Sequence, residues 1–192
     1  MEIIFATNNR HKLEEVQQIL GDAFCLLTPA GCGIAEEIPE EQPTLEGNAL
    51  QKARYIHERT GKNCFADDTG LEVEALNGEP GVYSARYAGE SKDANENMEL
   101  LLENLKGQSN RKARFRTAIA LILDNKEYLF EGIVEGTIRD AKSGAEGFGY
   151  DPVFEPAGYG ITFAEMDLPA KNAISHRGRA IRKLADFLQN IP

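Results

Sequence analysis

Apolar positions along the chain switch between a period of two and a period near 3.6, and each switch marks an element. Glu2 to Thr7 is a short, mostly apolar run rich in β-formers that stops at Asn8-Asn9, the pattern of a buried strand followed by a turn. Leu13, Val16, Ile19 and Leu20 then share one helical face, with Asn8 or Asn9 as cap and Gly21 as stop. Phe24 to Thr28 reads as a second strand. Pro29 to Pro43 has no apolar periodicity, carries prolines at both ends and in its middle, and holds Glu36, Glu37, Glu40 and Glu41. It is a long acidic loop, and long loops in compact domains are often functional.

Thr44 caps a predicted helix that runs to about Thr60 and ends at Gly61. Asn63 to Asp68 is a strand ending in two carboxylates, and Leu71 to Glu74 alternates like a half-buried strand. Asn77-Gly78 and Pro80-Gly81 supply turns. A helix is predicted over Asp93 to Leu105, with Met98, Leu101, Leu102 and Leu105 inward. Lys112–Leu123 and Glu127–Glu135 form a hairpin on Asp124-Asn125, suited to an antiparallel core or a dimer platform. A glycine-rich loop spans Gly144 to Gly149, Pro152 to Phe154 is a short strand, and Ser175 caps a last helix with Ile181, Leu184 and Leu188 inward. This order predicts a mixed α/β fold, a central sheet flanked by helices, rather than an all-parallel doubly wound sheet. With no internal repeat or Ser/Pro-rich linker, residues 1–192 read as a single domain of two lobes.

Composition narrows the function. The 192 residues carry 21 Lys plus Arg against 31 Asp plus Glu, a net charge of −10. That balance argues against a nucleic-acid-coating protein or an anionic-membrane binder, so any phosphate must meet a local site. The longest apolar run, Ala118 to Leu123, is far short of the ~20 residues that span a bilayer. The first residues lack the basic and apolar regions of a secretory signal, which points to a cytoplasmic protein. Cys25, Cys32 and Cys64 contain no Cys-x-x-Cys pair, which disfavours a disulfide framework and a zinc site.

Four segments carry candidate chemistry. Thr7-Asn8-Asn9-Arg10-His11-Lys12 brings backbone N–H groups at a helix start together with a hydroxyl, amides and an ammonium, which suits a polyphosphate. An ordinary capped helix with a solvated Lys has the same pattern. Asp67-Asp68-Thr69-Gly70 places two acids where a strand should meet a loop. Side chains alternate along a strand, so the pair shares one face only if the backbone turns, which Gly70 permits. Alternatively one acid faces a site and the other holds the loop. With an acid from the 36–41 loop, the pair fits Mg²⁺, a hard ion that takes one or two carboxylates and keeps waters and substrate phosphates. Gly147-Phe148-Gly149-Tyr150-Asp151-Pro152 offers aromatic surfaces for a flat base, or plain turn packing. Lys171 with Ser175-His176-Arg177-Gly178-Arg179 is a positive patch at a helix start, where the macrodipole disfavours cations, and this favours a bound anion.

Six ordered blocks carry a resemblance: Thr7-Asn8-Asn9 with Lys12; Asn48-Ala49 with Lys52-Ala53; Phe65 to Leu71; Pro80 to Tyr87; Phe148 to Pro152; and Ser175-His176-Arg177-Gly178. Over nearly its whole length the chain resembles the inosine triphosphate pyrophosphatase family, the housekeeping dITP/XTP pyrophosphatases. The resemblance implies Mg²⁺-dependent hydrolysis of ITP, dITP and XTP to monophosphate and pyrophosphate. It also implies a homodimer of elongated two-lobed α/β subunits with an active-site cleft. Carried over by position, it sets the substrate phosphates against Thr7, Asn8, Asn9, Arg10, His11, Lys12 and Lys52, and gives the metal to Glu40 and Asp68. Asp68 would position or deprotonate the attacking water, and Thr69 would touch the nucleotide. Phe148, Gly149, Tyr150 and Asp151 would cradle sugar and base, and Lys171, His176 and Arg177 would complete the pocket.

Two departures stand out. The family's Thr-Phe-x-Glu-Asn-Ala reads here Thr44-Leu45-Glu46-Gly47-Asn48-Ala49, so Gly47 removes the Glu that would complete a capping box. The acidic loop is atypical around Pro39-Glu40-Glu41-Gln42, which leaves Glu37 and Glu41 as alternatives to Glu40. Two other classes fit the same residues: a catalytically silent nucleotide sensor, against which intact Lys12, Lys52 and Asp68 argue, and a phosphatase releasing orthophosphate, which product identity separates.

Overall fold

The helices begin where the sequence supplies caps. Asn9 accepts from the Lys12 N–H ahead of α1 (Arg10–Leu20), Thr44 from Gly47 ahead of α2 (Leu45–Thr60), and Asp93 from Glu96 ahead of α3 (Ala94–Asn104). Each bond satisfies a first-turn donor that has no intrahelical partner. Gly61 ends α2 in the left-handed conformation, which glycine adopts without a Cβ penalty. The computed structural model describes residues 1–191. Its strands are β1 (Glu2–Phe5), β2 (Cys25–Leu27), β3 (Cys64–Val73), β4 (Pro80–Gly81), β5 (Lys112–Leu123), β6 (Lys126–Ile138) and β7 (Phe154–Pro156), followed by α4 (Leu168–Ile174) and α5 (His176–Gln189).

The sheet is mixed, as expected. Strands pair in the order β2-β1-β3-β5-β6-β7, with β4 on β3. β1 runs parallel to β2 and β3, whereas β4 is antiparallel to β3 and β7 to β6. Asp124 and Asn125 both have positive φ, the two-residue turn that joins antiparallel β5 and β6.

The chain divides into two compact units, and β3, β5 and β6 contribute segments to each. The first comprises Met1–Asp68, Thr117–Gly132 and the stretch from Arg177 onward. Its strands are apolar on both faces, and their period of two sorts side chains into two cores. Ile3, Phe5, Phe65, Ile119 and Leu121 pack with Val16 and Leu20 of α1 and with Ile181 and Leu184 of α5. Ile4, Cys64, Ala66, Ala120 and Ile122 pack with Ala49, Ala53 and Ile56 of α2. Ile34 and Ile38 join this second core, so the acidic loop is pinned by two apolar anchors, too few to show a period. The second unit, Thr69–Arg116 and Ile133–His176, has one core in which Phe115 and Phe154 lie 4.6 Å apart among Leu101, Leu105, Val153 and Phe163.

Three local expectations are corrected. β3 does not break at Gly70 but runs on to Val73. Gly70 permits close approach instead of a turn, because a Cβ there would lie 2.5 Å from the Gly81 carbonyl of β4. Pro152 to Phe154 is not a strand: Asp151–Val153 is a 3₁₀ turn and the strand is Phe154–Pro156. A separate helix, α4, precedes Ser175, started by an Asp167 cap with Pro169 in its first turn. Among the described residues no helix is long and apolar enough to cross a membrane. Replacing Gly70 with Ala should cost about 1–3 kcal/mol through forced backbone shifts. Urea unfolding measures this, and a midpoint equal to that of the parent would refute the close-approach role.

Candidate active site

The two adjacent aspartates of β3 inherit the alternation of the strand. Asp67 falls on the Phe65 side, facing α1 and α5, and Asp68 on the Ala66 side, facing α2. On the first side Lys12 Nζ lies 3.0 Å from Asp67 Oδ1, and Arg177 Nε donates to Asp67 Oδ2 at 3.0 Å. Arg177 Nη1 also bonds Glu15 Oε2. Glu15 and Lys12 sit three residues apart on α1, so the bonds close a ring through α1, β3 and α5. The ring holds two positive and two negative charges. Arg177 is 1% exposed, Asp67 1% and Glu15 3%, so each charge depends on its neighbours rather than on water. Burial pushes the Asp67 carboxyl upward, but the Lys12, Arg177 and Lys52 charges overcome it and hold its pKa well below the carboxylate range. For Arg177 burial is likewise outweighed, by Glu15 and Asp67, and its pKa rises. Burial prevails at Lys12, whose pKa is lowered in spite of Asp67.

The second side is less fully compensated. Asn48 Nδ2 donates to Asp68 Oδ2 at 3.0 Å, while Lys52 Nζ stands 3.9 Å from Asp68 Oδ1 and 2.5 Å from Glu40 Oε1. Burial raises the Asp68 pKa against the pull of Lys52 and Lys12. Half-exposed Glu40 goes the other way: Lys52 overcomes the effect of burial and lowers its pKa. Burial of Lys52 is offset by Asp68 and Glu40, which raise its pKa. Glu36 bonds Tyr55 and Arg59, and Glu41 bonds Gln51, so of these loop acids Glu40 is the one that shares a lysine with Asp68. Glu40 and Asp68 offer hard oxygen donors suited to Mg²⁺. Among the described residues no group of three or more His, Cys, Asp or Glu suits a metal, so a cation there would need further ligands from water or substrate.

Elsewhere in the first segment, Thr7 is buried and its Oγ1 accepts from the Asn9 N–H at 3.1 Å. Asn8, Asn9, Arg10 and His11 are exposed, and Arg10 pairs with Glu14 at 2.9 Å. Structure therefore brings Lys12, Lys52, Glu40 and Asp68 together and leaves Arg10 at the surface.

In the second unit, buried Lys171 donates to Asp151 Oδ2 at 2.6 Å, and that oxygen also accepts from the Phe148 N–H at 3.0 Å. Lys171 Nζ lies 4.7 Å from the Phe148 ring centre, a cation–π distance. Gly147 has φ +72°, and a Cβ there would lie 2.2 Å from Asp151 Oδ2, so this loop requires glycine. Phe148 and Gly149 remain half-buried, with Thr69 equally accessible. Tyr150 is buried and its hydroxyl donates to the Ser84 carbonyl at 2.6 Å, which burial matches by raising its pKa. His176 stacks on Phe115 at 4.5 Å. The sequence reading gave no role to Glu15 or Asn48. Their signals were present: Glu15 lies on the inward face of α1 one turn from Lys12, and Asn48 lies one turn before Lys52 on α2.

These features define an α/β protein that gathers buried Lys52, partly buried Lys12, a loop acid and a partly compensated aspartate at one strand. The chain belongs to the Ham1 family, whose model matches residues 3–187. A protein of Flavobacterium psychrophilum named dITP/XTP pyrophosphatase is 51% identical over 190 residues, covering 99% of this chain and all of its own. One of Porphyromonas gingivalis with the same name is 54% identical over 188 residues, 97% of each chain. Among solved structures, the Ham1 protein of Staphylococcus aureus has a TM-score of 0.89 at 39% identity over 98% of each chain. A HAM1 protein from Coxiella burnetii has 0.91 at 38% identity over the full length of both.

Removing Arg177 takes a charged partner from each of two buried carboxylates, so Arg177→Met should lose about 3–5 kcal/mol in urea unfolding; a loss below 1 kcal/mol would contradict the ring. The depressed Asp67 pKa adds a pH signature. Its stabilisation is complete above the ordinary value of 3.8 and is lost as pH falls through the lower folded value. Asp67→Asn should lack this part of the acid slope, as seen in unfolding free energy against pH.

Proposed function

We propose that this chain hydrolyses non-canonical purine nucleoside triphosphates, ITP, dITP and XTP, between the α- and β-phosphates. It would release the nucleoside monophosphate and pyrophosphate and so clear these nucleotides from the pool. The observation that carries the reading is Asp68, a buried carboxylate with a raised pKa, held by Asn48 and facing Lys52 beside Glu40. Membership of the Ham1 family and the names of the relatives support it. The match over residues 3–187 supports treating residues 1–192 as one catalytic domain.

In this reading Asp68 orients the attacking water and takes its proton, a task that suits a carboxyl poised above its usual range. Lys12 and Lys52 receive the charge that develops on the departing pyrophosphate. Mg²⁺ held by Glu40 and Asp68 supplies charge neutralisation on the phosphates when bound. Thr7 and the N–H groups that open α1, with Asn8, Asn9, Arg10 and His11, form the phosphate-binding segment. Phe148 offers its ring to the base, and Lys171, Asp151 and the inward-turned Tyr150 fix the loop that presents it, with Thr69, Gly149 and His176 lining the nucleotide. Arg177 serves through Asp67, holding Lys12 in place. Donors directed at the 6-keto oxygen would go unpaired against the 6-amino group of adenine, which separates these substrates from ATP. Guanine shares that oxygen and must be rejected at its 2-amino group. The enzyme is proposed to act as a cytoplasmic homodimer, in the compartment that holds its substrates.

Purified protein with Mg²⁺ should release pyrophosphate from dITP and XTP and little from ATP or GTP, and excess EDTA should stop it. Orthophosphate as product would make it a phosphatase, and tight ITP binding without turnover would make it a sensor. Asp68→Asn should keep its melting temperature and lose at least about 100-fold in rate. Undiminished turnover in that variant would remove Asp68 from the role of base.

A further inference from the structure

The three residues Glu40, Glu41 and Gln42 lie antiparallel along one face of α2, and each meets a different side chain of that helix. The Gln42 N–H donates to Asn48 Oδ1 at 2.8 Å. The Glu41 N–H donates to Gln51 Oε1 at 2.9 Å, and Gln51 Nε2 returns a bond to Glu41 Oε2 at 3.1 Å. Glu40 Oε1 accepts from Lys52 Nζ at 2.5 Å. Positions 48, 51 and 52 are neighbours on a helical surface, which is why three consecutive loop residues find partners there. Gly47 completes the fit: a Cβ there would sit 2.8 Å from Gln42 Cβ and 2.9 Å from Thr44 Oγ1. Loss of the capping-box Glu thus coincides with the place where the loop lies against the helix.

Asn48 differs from its neighbours in being 2% exposed and in facing two ways. Its Nδ2 serves Asp68 Oδ2 and its Oδ1 serves the Gln42 N–H. A carboxylate only accepts and an amide N–H only donates, so one orientation of the Asn48 amide satisfies both. Aspartate would set a like charge against Asp68, and leucine would leave both partners unmet.

We propose that Asn48 is the positioning residue that sets Asp68 and the Glu40 loop relative to each other, and so prepares the two carboxylates to share one divalent cation. The inference rests on the metal assignment of the proposed function. Its effect belongs to Mg²⁺ affinity rather than to nucleotide binding, since Asn48 acts through the two carboxylates. Partners of this kind typically contribute 10–100-fold to metal affinity or activity.

Three measurements test it: Mg²⁺ binding to the nucleotide-free protein by calorimetry, amide hydrogen exchange, and the Mg²⁺ dependence of dITP hydrolysis. Asn48→Ala should weaken Mg²⁺ binding about tenfold or more, speed exchange of the Gln42 amide, and leave the KM for dITP at saturating Mg²⁺ within about twofold. Gln51→Ala should speed exchange of the Glu41 amide while keeping Mg²⁺ affinity within about twofold. Unchanged Mg²⁺ affinity in Asn48→Ala, or an equal loss in Gln51→Ala, overturns the proposal. Should Asn48→Ala not fold, a Gln42 amide that exchanges freely in the parent protein overturns it, and a protected one supports it. A parent protein that makes no pyrophosphate from dITP yet binds Mg²⁺ in an Asn48-dependent way sinks the activity and upholds the positioning role.

Discussion

Two consecutive carboxylates buried in the middle of a strand impose the constraint from which the active region of this protein follows. A charge removed from water must be compensated at close range, and an extended backbone sends neighbouring side chains to opposite faces. Asp67 and Asp68 therefore require separate sets of partners on separate helices. Asp67 receives Lys12 from α1 and Arg177 from α5, and Asp68 receives Asn48 and Lys52 from α2. The apolar alternation that divides the first unit into two cores is the same alternation that divides the two acids.

The two faces differ in how complete that compensation is. Around Asp67 the ring through Lys12, Arg177 and Glu15 is neutral, and the acid is held in its charged form. A buried ring of this kind resists change, since loss of any member leaves another charge stranded. Around Asp68, Lys52 stands 3.9 Å away and bonds Glu40 more closely, and burial raises the carboxyl instead. A rigid, satisfied face thus supports a face left receptive to protons and cations. Lys12 and Lys52 each neutralise an acid in the resting protein, Lys12 on the first face and Lys52 on the second.

The second unit solves a related problem with different chemistry. Lys171 and Asp151 form a buried pair directly beneath the Phe148 loop, and one carboxylate oxygen serves both the ammonium and the loop N–H. Tyr150, read from sequence as a base contact, is turned inward to the Ser84 carbonyl. Phe148 stays accessible because its neighbours are spent on holding the loop. The half-buried ring thus owes its orientation to polar groups packed behind it.

Much of this was legible in the sequence because it is local. Caps at Asn9 and Thr44, the αL glycine at 61, the alternation of β1 and the helical face of α1 depend on residues a few positions apart, so their signals survive in one dimension. The six blocks that carry the family resemblance were legible for the same reason, as each block is contiguous. What only the tertiary structure decided involves partners far apart along the chain. Gly70 looked like a turn and proved to be a point of close approach, because the Gly81 carbonyl that fills its missing Cβ comes from another strand. Arg177 meets Asp67 across 110 residues and Glu15 across 162, and no periodicity records such pairings. That Glu40 shares Lys52 with Asp68 likewise depends on how the loop lies along α2. Sequence by itself determined which charges this protein carries and on which elements. Only the fold decided which of them compensate one another, because compensation depends on distance in space.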